Sequence, residues 1–230
     1  AGGVAYLNSF GSGEPCWVFN NSVKSAEEAA SHESGHTMGL THDGTASQEY
    51  FAGHGSWGPI MGAVYSRAIV QWSKGEYTGA NNTQGDVVII SNKIAYRVDD
   101  AGNDPSTSKG MVISGTGAVA SSSNFGVIER STDKDVFGFT TTGGAVTFSI
   151  VAKTEAGSAS VPDLDIQARI LDAAGTEIIK VDPSGGVLTA PVSVNQTLTA
   201  GTYYLEIDGV GYGNPLNTGY SDYGSLGQYF

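Results

Sequence analysis

A chain of 230 residues is long enough to bury one large core or two modest ones. Its net charge of -12, from 11 Lys and Arg against 23 Asp and Glu, argues against a nucleic-acid partner, because that partner demands cationic side chains to neutralise phosphates. No apolar run reaches the roughly 20 residues of a membrane-spanning helix, and no charged start followed by an apolar signal region is visible.

Low Lys plus Arg, abundant Gly, Ser and Thr and the excess of Asp read as a secreted, extracellular bacterial protein. The single cysteine, Cys16, rules out an internal disulfide and is either a buried thiol or the partner of a segment outside this chain. Residues 3–10, GVAYLNSF, read as a short strand, 11–15 (GSGEP) as a turn, and CWVFN as another short strand. A polar approach from Asn20 leads into a helix expected from about Ser25 to Met38. Ser25 and Glu28 stand at capping-box spacing, and Glu27 and Glu28 place negative charge in its first turn. Ala26, Ala29 and Ala30, with Met38 and Leu40 beyond, supply its apolar side.

The same helix carries His32 and His36, four residues apart and therefore on one face. Glu33 sits beside the first histidine, where a carboxylate reaches a water held by a metal. Gly39 can turn the backbone out of the helix and bring His42 back toward the same point. Three imidazoles around one open position, with a carboxylate alongside, is what a hydrolytic zinc site needs. The bland alternative is a helix whose histidines and glutamate merely face solvent. Against it, three of the four histidines of the chain fall in this one stretch.

On the residues H-E-x-x-H-x-x-G-x-x-H, the segment from His32 to His42 resembles the metzincin clan of zinc endopeptidases, and Asp43 resembles the adamalysin/reprolysin branch with its bacterial relatives. The resemblance implies an α+β metzincin-type catalytic portion. It implies Zn²⁺ held by His32, His36 and His42, with Glu33 as general base and Gly39 supporting the turn. It also implies that the piece around Val4, Ala5, Tyr6 and Leu7 is an edge strand aligning extended substrate through its backbone, where an ordinary hairpin strand is the alternative. In that clan most of the central sheet precedes the zinc helix, and here only 31 residues precede His32. Position 1 therefore reads as the interior of a longer product with its upstream part missing, and that N-terminal part of the precursor is a candidate partner beside a protein or peptide substrate.

Residues 41–56 read as a glycine-rich loop with Tyr50 and Phe51 as packing residues and His54 as a surface or loop residue. In WGPIMGAVY, residues 57–65, Met61 lies 19 residues after His42 and resembles the methionine turn of the clan, implying apolar support beneath the ligands. Taken alone it would be a core methionine. Some relatives carry a tyrosine two residues further on that approaches the zinc; here that position is Ala63, and Tyr65 is left as a candidate to line the cleft.

Residues 64–74 suggest a helix with Val64, Ala68, Ile69 and Trp72 toward the core, and 86–103 a β-type run followed by an acidic turn. Asp99, Asp100 and Asp104 are calcium candidates there, against the alternative of a solvated turn. Ser and Gly from 105 to 124, around one short strand at Val112, look like a connection. The expected organisation is a catalytic portion over 1–110, a linker over 111–124 and a second domain over 125–230.

From Phe125 onward strands alternate with turns, as in Phe137/Phe139, Val146/Phe148/Ile150 and Ile166/Ala168/Ile170. On Asp133 and Asp135, DLDIQARILDAAG, GTYYLEIDG and the tail GYSDYGSLGQYF, this part resembles the bacterial pre-peptidase C-terminal domain. That implies an all-β, jelly-roll-like sandwich. Asp133, Asp135, Asp163 and Asp165 are further calcium candidates, although alternation also puts Asp163 and Asp165 on an exposed face as solubilising residues. Tyr212, Tyr220 and Tyr223 are either contacts for a matrix polymer or caps on the core. The expected function is a secreted zinc-dependent endopeptidase; the alternative is a non-catalytic matrix-binding or secretion-assisting module whose metal site is incomplete.

Overall fold

The computed structural model describes residues 2–154, 161–183 and 188–230, which are mostly strand and loop with few helices. The chain divides into two compact units, each assembled from separated stretches. The first comprises Ala1–Tyr96, Thr154–Asp163 and Gly211–Gly224; the second comprises Arg97–Lys153, Leu164–Val210 and Ser225–Phe230.

In the first unit, β1 (Gly3–Val4) pairs antiparallel with β2 (Trp17–Val18), Val4 opposite Trp17. The rest of the strand expected over 3–10 is not extended. Asn8 takes a left-handed φ of 58°. The N–H groups of Asn8 and Phe10 donate at 2.8 Å to the carbonyls of His36 and Thr37. Those carbonyls lie in the last turn of a helix, where regular intrahelical donors run out, so capping them outweighs continuing the strand.

That helix, α1, runs from Val23 to Met38. Its cap is Ser22, whose Oγ accepts from the Ser25 N–H at 3.3 Å, not Ser25 itself. The expected capping box is therefore shifted, and no acidic residue falls in the first turn. Glu28 instead lies buried and pairs with Lys24 one turn earlier. Cys16, just before β2, is a free and half-buried thiol.

Two further expectations are corrected. Residues 64–74 form no helix: β4 (Ile69–Gln71) runs parallel to β3 (Trp57–Pro59). The Ile69 N–H donates to the Ser56 carbonyl at 2.9 Å, and Arg67 holds the carbonyls of Ala52, Gly53 and Gly55 within 2.7–2.9 Å. β-Branched Ile69 and Val70 suit that extended path. Conversely, the β-type run begins with a helix, α2 (Asp86–Ser91). Asp86 starts it, its buried carboxyl accepting from the Ser73 N–H at 2.9 Å, and Ile89 and Ile90 pack on Leu40, Ile60 and Met61.

Gly211–Gly224 joins this unit as well. Tyr220 and Tyr223 are buried, the Tyr223 hydroxyl accepting from the Val87 N–H at 2.9 Å, so these two are packing residues. Tyr212 is 37% exposed.

The second unit holds the larger core. Its five-stranded sheet contains β5 (Lys109–Gly110), β7 (Lys134–Thr141), β9 (Ile166–Leu171), β10 (Glu177–Val181) and β12 (Gly201–Gly209) in the order β10-β9-β12-β7-β5. All neighbours are antiparallel except β5 and β7. Beside it, β8 (Gly144–Ile150) pairs with β11 (Val192–Leu198), and β6 (Gly126–Ile128) with β13 (Gly227–Tyr229). The alternating positions Phe137, Phe139, Phe148, Ile150, Ile166, Ala168 and Ile170 are buried together, with Val146 packed against them.

Residues 111–124 belong to this unit and are tied into it. The Met111 N–H donates to the Gly138 carbonyl at 2.8 Å, and the Asn124 amide bonds both backbone groups of Val112.

Candidate metal centre

The four-residue spacing sets His32 and His36 on one face of α1, ring centroids 4.7 Å apart. The helix stops at Gly39, whose φ of 105° is open to glycine but strained for other residues. Its N–H bonds the His36 carbonyl at 3.0 Å, and the Leu40 N–H bonds the Gly35 carbonyl at 3.0 Å. The chain then doubles back, and the His42 ring comes within 4.8 Å of His36 and 5.4 Å of His32. One nitrogen from each histidine lies within 4.8 Å of the other two.

Which nitrogens converge follows from what the others do. His32 Nδ1 is 2.8 Å from the Ile60 carbonyl, His36 Nδ1 is 2.8 Å from the Leu40 carbonyl, and His42 Nδ1 is 3.0 Å from Glu49 Oε1. A carbonyl or carboxylate can only accept, so each Nδ1 carries the hydrogen and each neutral ring presents a lone pair at Nε2. His36 Nε2 and His42 Nε2 face one another at 3.0 Å. Two lone pairs at that distance repel unless a cation lies with them. Three neutral imidazoles presenting converging lone pairs fit zinc.

Burial pushes His32 down to about 4, with His36 and His42 adding to the fall and the Ile60 carbonyl opposing it. His42 is lowered by burial and by His36, opposed by Glu49. Both effects favour the neutral ligand form.

Glu33 is 6% exposed, and burial raises its carboxyl above the usual range, opposed by His36. Gly3 of β1 passes directly over it: a Cβ there would stand 2.6 Å from Glu33 Cγ. A cleft of about 670 Å³ opens above these groups, lined by the three histidines and Glu33, by Val4 and Ala5, by Ala63 and Tyr65, and by Tyr50. Tyr6 and Leu7, expected beside Val4 and Ala5, do not line it and are 57% and 58% exposed, because the chain turns away after β1.

Met61 is fully buried and packed with Leu40 and Ile60. Its carbonyl accepts from the Asp43 N–H at 2.9 Å, and the carbonyl just before it, of Ile60, is the one that orients His32. A Cβ on Gly35 would lie 2.7 Å from Met61 Sδ, so the helix and Met61 meet where α1 has no side chain.

Sequence reasoning missed Glu49 and misassigned Tyr50. Tyr50 is not a packing residue: it is 41% exposed, with its ring 4.2 Å from that of His42. Phe51 does pack, stacked on Tyr77 at 4.1 Å. The available signal was proximity in chain, an acidic and an aromatic residue seven and eight positions after the third ligand. His54 is no ligand; its Nε2 bonds the Gly219 carbonyl at 2.8 Å.

Of the calcium candidates, Asp99 and Asp133 come together in the second unit, joined by Glu129, which the sequence reading did not single out. Glu129 is 8% exposed with both carboxylate oxygens unpartnered, and burial with Asp133, Asp135 and Asp100 pushes it up to about 8. Asp135 lies nearby, held by the Tyr229 hydroxyl and raised to about 7 chiefly by burial. Asp100 is engaged by the Val127 N–H at 3.0 Å and by Lys109. Asp104 caps its own turn through Ser106 and Thr107. Among the described residues, Asp163 and Asp165 join no three-donor group, and neither is a plainly exposed solubilising residue: Asp165 is buried and Asp163 partly so.

No protein-family model matches the chain, and no curated protein is significantly similar to it. Among solved structures it is similar to the pre-peptidase C-terminal domain of collagenase from Bacillus anthracis, at 16% identity and a TM-score of 0.30, covering 58% of this chain and 93% of that one. A TM-score of that size carries no conclusion about fold or activity.

Proposed function

We propose that the first unit is a zinc-dependent endopeptidase of metzincin type. The observation that carries this reading is the set of three histidines whose Nδ1 atoms are each committed to an acceptor while their other nitrogens converge beside a buried glutamate. Zinc bound there would supply Lewis acidity, lowering the pKa of a water and polarising a carbonyl.

The residues of the chain do the rest. His32, His36 and His42 would hold the metal, with the Ile60 and Leu40 carbonyls and Glu49 fixing their tautomers. Glu33, raised by burial, accepts a proton from the attacking water and returns it to the leaving amine. The backbone at Val4 and Ala5 aligns an extended peptide, and Met61 keeps the ligand cluster from shifting. Glu33→Gln tests this: zinc content should stay at that of the parent while chelator-sensitive cleavage of a denatured protein falls by about 10²-fold or more. Cleavage that survives the substitution sinks the reading.

The second unit supports a second reading. Its strands close a core of their own, as a jelly-roll-like module serving matrix attachment or secretion would. Retention of the Glu33→Gln chain on an insoluble matrix polymer, with no cleavage by the parent chain, would favour it. In either reading we place the protein outside the cell, acting on protein or peptide, and assign calcium to Asp99, Glu129 and Asp133. Millimolar calcium should then raise the melting temperature of the parent and not of Glu129→Gln.

A further inference from the structure

The cleft poses a question that its metal ligands and general base leave open: which group receives the scissile carbonyl oxygen as negative charge gathers on it. A hydrogen-bond donor aimed there is worth about 10²–10³ in rate. Few lining residues qualify. Gly2, Gly3, Val4, Ala5, Gly62 and Ala63 bring no side-chain donor. The three imidazoles have spent their Nδ1 hydrogens on Ile60, Leu40 and Glu49, and Glu33 is the acceptor of the water's proton. Among the described residues, the lining holds no Lys, Arg, Asn, Gln, Ser or Thr. Two phenols are left.

They are not equivalent. The Tyr65 hydroxyl is lodged against the backbone of Gly2, where even an added Cβ would approach it to 2.1 Å. The Tyr50 ring stands against the candidate ligands themselves, 4.2 Å from His42 and 6.3 Å from His32 at an interplanar angle of 29°, and its hydroxyl engages Glu49, a partner at the edge of the cleft that it would exchange for the substrate oxygen. We infer that Tyr50 is a catalytic residue whose hydroxyl donates a hydrogen bond to the scissile carbonyl oxygen of a bound peptide, and that this bond strengthens as the oxygen becomes anionic. The phenol keeps its proton throughout, so no bond is made or broken at Tyr50. The inference rests on the endopeptidase reading and adds to it a residue from the loop after the third ligand, where Ala63 offers nothing from the methionine turn.

Tyr50→Phe is the test, since it keeps the ring against His42 and removes the hydroxyl alone. Three quantities are measured: zinc content, the separate kcat and KM for a peptide substrate, and calorimetric affinity for a phosphinic peptide whose tetrahedral anion replaces the scissile amide. With zinc content unchanged, kcat should fall about 10²-fold and KM stay within about twofold, and affinity for the phosphinic peptide should weaken by a comparable factor. A kcat within about threefold of an active parent overturns the assignment and leaves the zinc endopeptidase standing. A raised KM with kcat intact overturns it too, because the contact is then made equally in the ground state. Loss of zinc would make the hydroxyl structural and also overturn it. A parent chain that holds zinc but cleaves nothing removes the endopeptidase reading and this inference together.

Discussion

Gly35→Ala pits two effects of similar size against each other, and the structure decides the sign. On an exposed helix face this change is stabilising by about 1 kcal/mol, because alanine restricts the unfolded chain more than glycine does. Gly35 is buried, and its added Cβ would meet Met61 Sδ at 2.7 Å, Leu40 Cδ1 at 3.2 Å and Trp72 Cζ3 at 3.3 Å. Met61 and Leu40 are fully buried and packed with Ile60, so relief requires several side chains to move. Overpacking of this kind costs about 1–3 kcal/mol, so the net expectation is a loss of about 1 kcal/mol. In a Met61→Ala background the nearest clash is gone and the same change should recover the helix gain, a coupling of about 2 kcal/mol between the two sites. All three tryptophans, Trp17, Trp57 and Trp72, lie in the first unit, so urea unfolding followed by tryptophan fluorescence reads this unit selectively. Gly35→Ala stabilising in both backgrounds, or destabilising equally in both, would refute the close packing of α1 on Met61.

Three more expectations are open to simple measurement. Glu49→Ala removes the acceptor that fixes His42 and should weaken zinc binding about tenfold in a chelator competition, with unfolding in the apo form little changed; equal affinity would deny Glu49 that role. Gly39→Ala forces a side chain into a φ of 105° and should cost about 1 kcal/mol or more of first-unit stability, where an unchanged midpoint would contradict the left-handed exit. Asp86 is fully buried, and its carboxyl is pushed from 3.8 to about 8 by burial and by Asp43, with the Ser73 N–H opposing. A raised folded-state value means that its contribution is intact below about pH 4 and is lost as pH climbs through about 8. Asp86→Asn should therefore flatten the fall in first-unit stability between pH 5 and pH 8.5, and an unaltered slope would count against it.

The candidate centre was legible because helical geometry alone converts a four-residue spacing into one face, and because Gly39 is a turn that few other residues can make. Its supporting groups were not. Two of the three tautomer-fixing acceptors are backbone carbonyls, of Ile60 and Leu40, and a sequence says nothing about where a carbonyl points. The misread elements share a cause. Residues 64–74 carry apolar side chains at helical spacing, but Arg67 is fastened to three loop carbonyls and carries the chain along β3 instead. DVVII looks like a strand by β-branching, yet an acidic first residue and a core of Leu40, Ile60 and Met61 favour one short helix over it. Tertiary partners outweighed local propensity in both places. In the second unit, where alternation meets a buried sheet face, pattern and structure agree.

The first unit takes in Gly211–Gly224, separated from its first stretch by most of the second unit. Tyr223, which accepts from Val87 at the start of α2, is synthesised only after most of the second unit. A nascent chain therefore carries its three histidines long before the unit around them can close. Every strand from β5 through β12 must emerge in between, and that long excursion imposes a loop-closure entropy on folding. Completion of the first unit becomes a late event, separated in time from the synthesis of its three histidines. By the same topology no single cut frees either unit whole, since each takes residues from both sides of the other along the chain.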